Sequence, residues 1–291
     1  MKQSVNNVTI EGIVSEVNIR DIDKGDKKYV AGEVVVKVPA KDGSFNTIPV
    51  GFISADKKKD GTPNQNYARL QNLKNFNSIA ALGKEEGATK VQIRGANLQE
   101  NLFLPQGAQD VLSSIKINSN FFTKITNEAN YNPEASFNVT VYIAKIEDEI
   151  RNEEETGRLI VTGVLVGYAD KAEIVRFIAD EKANVDFIKS HWNQGDTVRI
   201  GGDLRFTEEI IEQEQEVGFG EAETRRFTKR IKEFIIKRGS AAGLDEEEAF
   251  NQEDIMKALQ ERKARMDAIK NAPKQAPQTT TTSIKTEDYG F

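Results

Sequence analysis

The sequence lacks cysteine altogether and has one histidine, one tryptophan and seven prolines among 291 residues. Without cysteine the chain has neither disulfides nor thiolate metal ligands, and its composition fits a reducing compartment. No run of about 18 apolar residues occurs, so the sequence predicts no membrane-spanning helix. The first residues lack the apolar stretch of a secretory signal, and a cytoplasmic location is therefore expected.

The shortage of histidine also argues against catalysis. His191 alone cannot form a multi-histidine metal site, and no G-x-S-x-G element accompanies it. Residues 83–90 fail the phosphate-loop pattern, and residues 21–26 lack the glutamate that a calcium loop needs at its last position. The sequence therefore predicts a binding protein rather than an enzyme, with no metal and no cofactor.

The charge is distributed unevenly along the chain. The net charge is −6, yet residues 1–125 contain 17 Lys and Arg against 13 Asp and Glu. Residues 126–240 contain 16 against 23, and residues 241–291 contain 7 against 10. A basic first part indicates a partner that carries phosphates, because Lys and Arg neutralise them. The acidic second part favours assembly or protein docking instead.

Alternating apolar residues predict β-strands in two similar cycles. The first cycle has strands at 8–19, 29–38 and 45–53, a helix at 67–82, and strands at 90–98 and 114–125. The second has strands at 137–150, 159–166 and 173–179, a helix at 183–192, and strands at 197–206 and 226–237. A long acidic insertion, 208–223, is expected between the last two strands.

A local repeat supports the two cycles. Residues 87–95 and 195–202 share the pattern V-x-I-x-G, and in each cycle the pattern follows the predicted helix. We therefore predict a mainly β protein with two tandem five-stranded barrels, each with one helix. The predicted boundaries are 1–125 for the first barrel, 126–136 for a linker and 137–240 for the second barrel.

The C-terminal part has a different character. Asn251 is a good cap for a helix over 252–271, which Pro273 would end, so residues 241–272 form a predicted helical segment. Packing of this helix on a barrel is favoured over binding of a partner, and both interpretations stay open. Residues 273–291, with two prolines and a run of threonines, are expected to be disordered.

The order of three strands, a helix and two strands is that of the oligonucleotide-binding (OB) fold. Residues 193–204 and the last five residues resemble segments of bacterial and phage single-stranded DNA-binding proteins, which end in an acidic tail with a terminal Phe. The resemblance implies sequence-tolerant binding of single-stranded DNA in replication and recombination, within a bacterial cell or a phage-infected host. It also implies a tip that recruits replication and recombination proteins, formed by Glu287, Asp288, Tyr289 and Phe291.

Single strands bind through cations on phosphates and aromatic rings stacked on bases. The first barrel offers both in the turn after its first strand, around its third strand, and in its fourth strand with the following hairpin. These candidates are Lys24, Lys27, Lys28, Tyr29, Phe45, Phe52, Lys57, Lys58, Lys59, Arg94 and Phe103. For each aromatic residue the alternative is core packing, and for the lysine run it is ordinary solvation.

The second barrel contains further candidates for extending the nucleic-acid path, although nearby carboxylates make them less suited to bind phosphates. They are Arg158, Tyr168, Arg176, Arg199 and Arg205.

Two other interpretations of the function stay open. The chain could instead be a protein–protein adaptor built on the same barrels, with self-association through the second barrel and no nucleic-acid role. RNA is not separated from DNA, because recognition of the 2′-hydroxyl depends on individual contacts.

Overall fold

The computed structural model describes residues 1–40, 43–215 and 223–272, with the backbone alone at 209–215 and 223–229. The fold is mainly β with a C-terminal helix, as predicted. Residues 273–291, which include the proposed tip of Glu287, Asp288, Tyr289 and Phe291, lie outside the described part. No helix in the described ranges has both the length and the apolar character needed to cross a membrane.

The first barrel contains β1 (Asn6–Lys24), β2 (Lys27–Pro39), β3 (Phe45–Ala55), β4 (Lys90–Phe103) and β5 (Leu112–Asn118). Strand pairing closes a circuit in the order β1–β2–β3–β5–β4–β1. The β3–β5 contact is parallel and the others are antiparallel. Every second residue points inward, so Val34, Val36 and Val50 are fully buried while their neighbours face outward.

The second barrel repeats this circuit with β7 (Glu134–Arg151), β8 (Glu154–Val166), β9 (Ala172–Ala179), β10 (Thr197–Gln215) and β11 (Glu223–Gly239). The predicted acidic insertion is wrong, because most of it continues β10 and pairs with an extended β11. The backbone register places acidic residues opposite basic ones, such as Glu209 opposite Lys229 and Glu212 opposite Arg226. Such cross-strand pairs stabilise a ladder without the apolar alternation that identifies strands in a sequence.

The helical segment of the first barrel also differs from the prediction. In place of one helix over 67–82, the chain forms α1 (Gln65–Gln71), a 3-10 turn (Asn72–Asn75) and α2 (Ile79–Leu82). Ser78 caps α2 by accepting a hydrogen bond from the backbone N–H of Ala81 at 3.2 Å. Because Ser and Asn compete for backbone groups, they interrupt a helix that apolar spacing alone predicts. In the second barrel, α3 (Lys182–His191) forms as predicted.

Two boundaries are displaced from their predicted positions. The last strand of the first barrel, predicted at 114–125, is split into β5 and the short β6 (Thr123–Lys124), which pairs with β4. Strand β7 begins at Glu134, inside the predicted linker. It pairs antiparallel with β1 from Asn6 opposite Val139 to Glu11 opposite Glu134. The first strands of the two barrels therefore join them into one 11-stranded sheet.

Helix α4 (Gln252–Lys270) packs on the outer face of the second barrel, the interpretation that the sequence favoured. Asn251 caps it, with its side-chain oxygen accepting from the N–H groups of Glu253 and Asp254. Ile255 and Ala258 are buried against β7, β8 and β9, where they contact a cluster of apolar residues: Tyr142, Val164, Val166 and Ala172. The outer face of the β7–β8–β9 sheet is therefore covered at this end.

Helix α4 also contacts the first barrel through a buried ion pair. Arg262 donates two hydrogen bonds to the Glu100 carboxylate of β4, at 2.7 and 2.5 Å. The two side chains are only 13% and 2% exposed. Arg265 donates to the carbonyl of Ala172 at 3.1 Å. Helix α4 therefore holds both barrels in addition to the β1–β7 pairing.

The same contact region contains a carboxyl group with a perturbed pKa. Burial raises the pKa of Glu173 from 4.5 to about 7, and the nearby Glu100 carboxylate adds to this shift. A group whose pKa is higher in the folded state contributes stability at low pH and loses it as the pH rises through the folded value. We therefore expect the free energy of unfolding to fall between about pH 4.5 and pH 7 and then to level off.

This pH dependence is measured by urea unfolding of the wild type and of Glu173→Gln, which keeps the neutral shape at every pH. The variant should be more stable than the wild type at pH 8, and the difference should shrink towards pH 5. Glu246→Gln, at an exposed position, is the matched control and should follow the wild type. Parallel curves for Glu173→Gln and the wild type would contradict the assignment.

Candidate nucleic-acid interface

The outer face of β1, β2, β3 and β5 is concave and forms a groove of about 750 Å³, here called the main groove. Its walls come from residues 17–20, 31–33, 49–53 and 114–118, with Phe206 and Lys232 from the second barrel. Three exposed cations line it, Arg20, Lys116 and Lys232, and one exposed carboxylate, Glu33. Within the described part of the chain, none of these three cations forms an ion pair.

One wall of the main groove is an extension of the second barrel. We call the paired segments 206–215 and 223–232 of β10 and β11 the arm. At its base, the N–H of Phe206 donates to the Asn46 side-chain oxygen in β3 at 2.8 Å. Phe206 is 3% exposed and packs edge-on against Phe234, with ring centroids 5.7 Å apart. The base of the arm is thus anchored on β3 of the first barrel.

The arm divides the outer face of the first barrel into two unequal regions. The groove on its other side has a volume of about 580 Å³, and its charged lining residues are Glu16, Glu33, Lys37, Glu208, Arg230 and Lys232, the last of which also lines the main groove. Arg230 pairs with Glu208 there at 2.9 Å. Opposite charges are mixed in this second groove, whereas cations predominate in the main groove. An anionic ligand is therefore better accommodated in the main groove.

The predicted candidates of the β1–β2 turn lie beside the main groove. Lys24, Lys27 and Lys28 are exposed, and Lys24 is opposite Lys27 in the hairpin. Tyr29 is half-buried and lies on the same outer face of β2 as Ala31 and Glu33, since alternate residues share a face. The turn therefore extends the cationic surface beyond the groove.

The lysine run forms part of an ordered turn. Lys57, Lys58 and Lys59 are exposed in the loop that follows β3. The N–H of Lys58 donates to the Thr62 carbonyl at 2.8 Å. Hydrogen bonds from Thr62 also hold the pKa of Asp60 below its ordinary value, so a carboxylate partly offsets the lysine charge. These lysines do not line the main groove.

The remaining predicted residues are separated from the main groove or buried. Phe52 is 5% exposed and packs edge-on against Phe122 in the core, so its faces are not open to a base. Phe45 is 44% exposed, but it lies under the ammonium of Lys37, at 3.9 Å from its ring centroid. Exposed Arg94 and Phe103 belong to β4 and do not line the groove.

The candidate cations of the second barrel are paired with carboxylates. Arg158 contacts Glu149 and Glu233, and the others pair as Arg176 with Glu147, Arg199 with Glu248, and Arg205 with Asp180. Tyr168 is 80% exposed. Helix α4 covers one end of the β7–β8–β9 face of the second barrel.

Sequence reasoning missed the three cations of the main groove. Arg20 lies in a strand whose alternation with Val17 and Ile19 places it outward, which is a signal that the sequence contains. Lys116 is similarly exposed next to buried Ile117. Lys232 had no such signal, because only the tertiary fold brings the arm of the second barrel onto the first.

Comparison with known proteins gives one family match. A family model described as YorF matches residues 4–272. Among solved structures, the wild-type single-stranded DNA binding protein from Thermus aquaticus is similar at 9% identity and a TM-score of 0.48, covering 84% of this chain and 96% of that chain. A deletion mutant of the same protein gives the same identity and TM-score over 87% of this chain and 100% of that chain. No curated protein sequence matches the chain.

Proposed function

The chain belongs to the YorF family, and we propose that it binds single-stranded DNA without sequence preference along the main groove of its first barrel. The observation that carries this proposal is the concave face with Arg20, Lys116 and Lys232 and no ion pair to neutralise them within the described residues. Cations with free hydrogen-bonding capacity are suited to the phosphates of a nucleic-acid backbone.

A single strand suits this surface better than a duplex. The main groove is walled by the arm, and its floor contains polar and small side chains such as Asn18, Asn118 and Ala31. A flexible strand can follow a curved sheet and present its bases to the protein, whereas a duplex keeps its bases stacked inside. Tyr29 lies beside the groove on β2 and is partly exposed, whereas Phe52 lines the groove but is 5% exposed.

Protection of single strands in replication and recombination is part of the same proposal. The C-terminal tip, Glu287, Asp288, Tyr289 and Phe291, would then recruit replication or recombination proteins by offering carboxylates and aromatic rings to a pocket with Arg or Lys. The support for the tip is the sequence resemblance, and for the groove it is the geometry. The chain has no assigned catalytic role in this proposal.

Binding is tested by titrating the full chain with oligo-dT of about 16 nucleotides, the upper range of a single OB site. We expect binding at low salt that weakens steeply as salt rises, because each neutralised phosphate releases a counterion. Duplex DNA of equal length is the control and should bind more weakly, and oligo-rU reports any preference for DNA over RNA. Absence of binding at low salt would reject the proposal and leave the adaptor function.

A further inference from the structure

A second depression lies at the base of the first barrel, next to the main groove. It has a volume of about 290 Å³ and is called here the side pocket. One wall comes from α1 and the 3-10 turn, with Arg69, Asn72 and Phe76. The other comes from the segment between β5 and β6 and from β6 itself, with Phe121 and Lys124. None of these residues was a candidate from the sequence.

Phe121 is an aromatic ring held out to solvent. It is 52% exposed, which is unusual for a side chain of its size beside a barrel core. Its backbone is fixed on both sides by Ser119, whose hydroxyl accepts from the Phe121 N–H at 3.1 Å and donates to its carbonyl at 3.3 Å. Ser119 in turn donates its N–H to the Gly51 carbonyl of β3 at 3.0 Å. The ring is therefore presented from an ordered turn.

The side pocket also carries free cations. Arg69 and Lys124 are exposed, and neither forms an ion pair within the described ranges of the chain. The neighbouring Lys74 is different, because it pairs with Asp21 at 2.8 Å. A pocket that combines one exposed aromatic ring with two unpaired cations suits a nucleotide and its phosphates, since bases stack on rings and phosphates bind cations.

The side pocket and the main groove meet at the junction of β3 and β5. Asn118 lines the main groove, and Asn120, two residues later, lines the side pocket. The partition between them is the edge-on contact of Phe52 with Phe122, whose centroids are 5.8 Å apart. The two depressions are thus lined by neighbouring residues of one segment, on either side of this aromatic contact.

We infer that the side pocket is a second nucleotide subsite, in which Phe121 stacks on a base while Arg69 and Lys124 bind the adjoining phosphates. This inference rests on the proposed function, because it extends the path of the same single strand. It assigns the stacking role to Phe121 rather than to Phe52 or Phe45, which the sequence suggested.

Stacking is tested directly by fluorescence of Phe121→Trp. The single native tryptophan, Trp192, is 4% exposed and donates its ring N–H to the Ser240 carbonyl in the second barrel, so it gives a constant background. Saturating oligo-dT should quench the new tryptophan, because a stacked base contacts its ring. Phe187→Trp, at a 38% exposed position of α3 in the second barrel, is the matched control and should stay unquenched by oligo-dT.

Affinity provides the second readout. Phe121→Ala should bind oligo-dT about tenfold more weakly than the wild type, and Phe121→Tyr should restore most of the affinity. Phe187→Ala, on α3 of the second barrel, should bind as the wild type does. Unquenched Trp at position 121, or Phe121→Ala within about twofold of the wild type, would overturn the inference while the wild type still binds. Failure of the wild type itself to bind would reject the proposed function instead.

Discussion

Replacing Arg20, Lys116 and Lys232 together by glutamine is expected to weaken oligo-dT binding on the order of a hundredfold at low salt. The three cations line one groove, and none is neutralised by a carboxylate within the part of the chain that the structure describes. Each single-strand phosphate contact contributes about 0.7 to the slope of log affinity against log salt, so the slope should fall by about 2. Titrations with oligo-dT at several salt concentrations measure both quantities.

The matched control changes the same net charge elsewhere. Arg176, Lys182 and Lys263 are exposed on the second barrel and on α4, away from the main groove. Their triple replacement by glutamine should leave the slope unchanged and lower affinity only slightly. Equal losses in the two triple variants would show that net charge, rather than the groove, determines binding. The single variant Lys232→Gln tests separately whether the second barrel contributes to the site.

The substitution Arg262→Met is expected to lower the free energy of unfolding by about 3–5 kcal/mol, the cost of leaving a buried charge without its partner. Glu100 is 2% exposed and receives two hydrogen bonds from Arg262. Without them the buried Glu100 carboxylate would have lost its cationic partner while lying near the buried Glu173. Urea unfolding followed by circular dichroism measures the loss.

Two further variants separate the ion pair from the surrounding packing. Lys263→Met changes an exposed neighbour on the same helix and should keep the wild-type midpoint. The double variant Glu100→Leu with Arg262→Met should recover much of the loss, since an apolar pair of similar volume replaces both buried charges. A wild-type midpoint for Arg262→Met would mean that α4 does not depend on this ion pair.

The sequence predicted the features that depend on local patterns. Alternation identifies the strands of both barrels, because a half-buried strand has a period of two residues. Asn251 indicates the start of α4, and the repeated V-x-I-x-G places β4 and β10 after their helices. The sequence did not predict that β10 continues through its acidic segment, because the charged residues there do not alternate with apolar ones.

The candidate site depended more on the fold. For Phe52 the sequence left stacking and core packing open, and the structure places it at an inward, buried position of β3. Phe121 was placed within a strand predicted at 114–125, whereas the structure has a turn around Ser119 there that presents its ring. A single residue step decides which side of a strand faces solvent, and residue type alone does not reveal it.

By itself the sequence determined that this chain is a mainly β protein with two similar halves, a basic first part and a capped C-terminal helix, because composition and periodicity are local properties. Only the tertiary structure decided how the halves meet. Residues far apart in the chain join the first strands through Val8 and Phe137, bring Lys232 to Arg20, and place Arg262 against Glu100. Such contacts depend on packing and on burial of charge between distant segments, and they cannot be inferred from any one segment of the sequence.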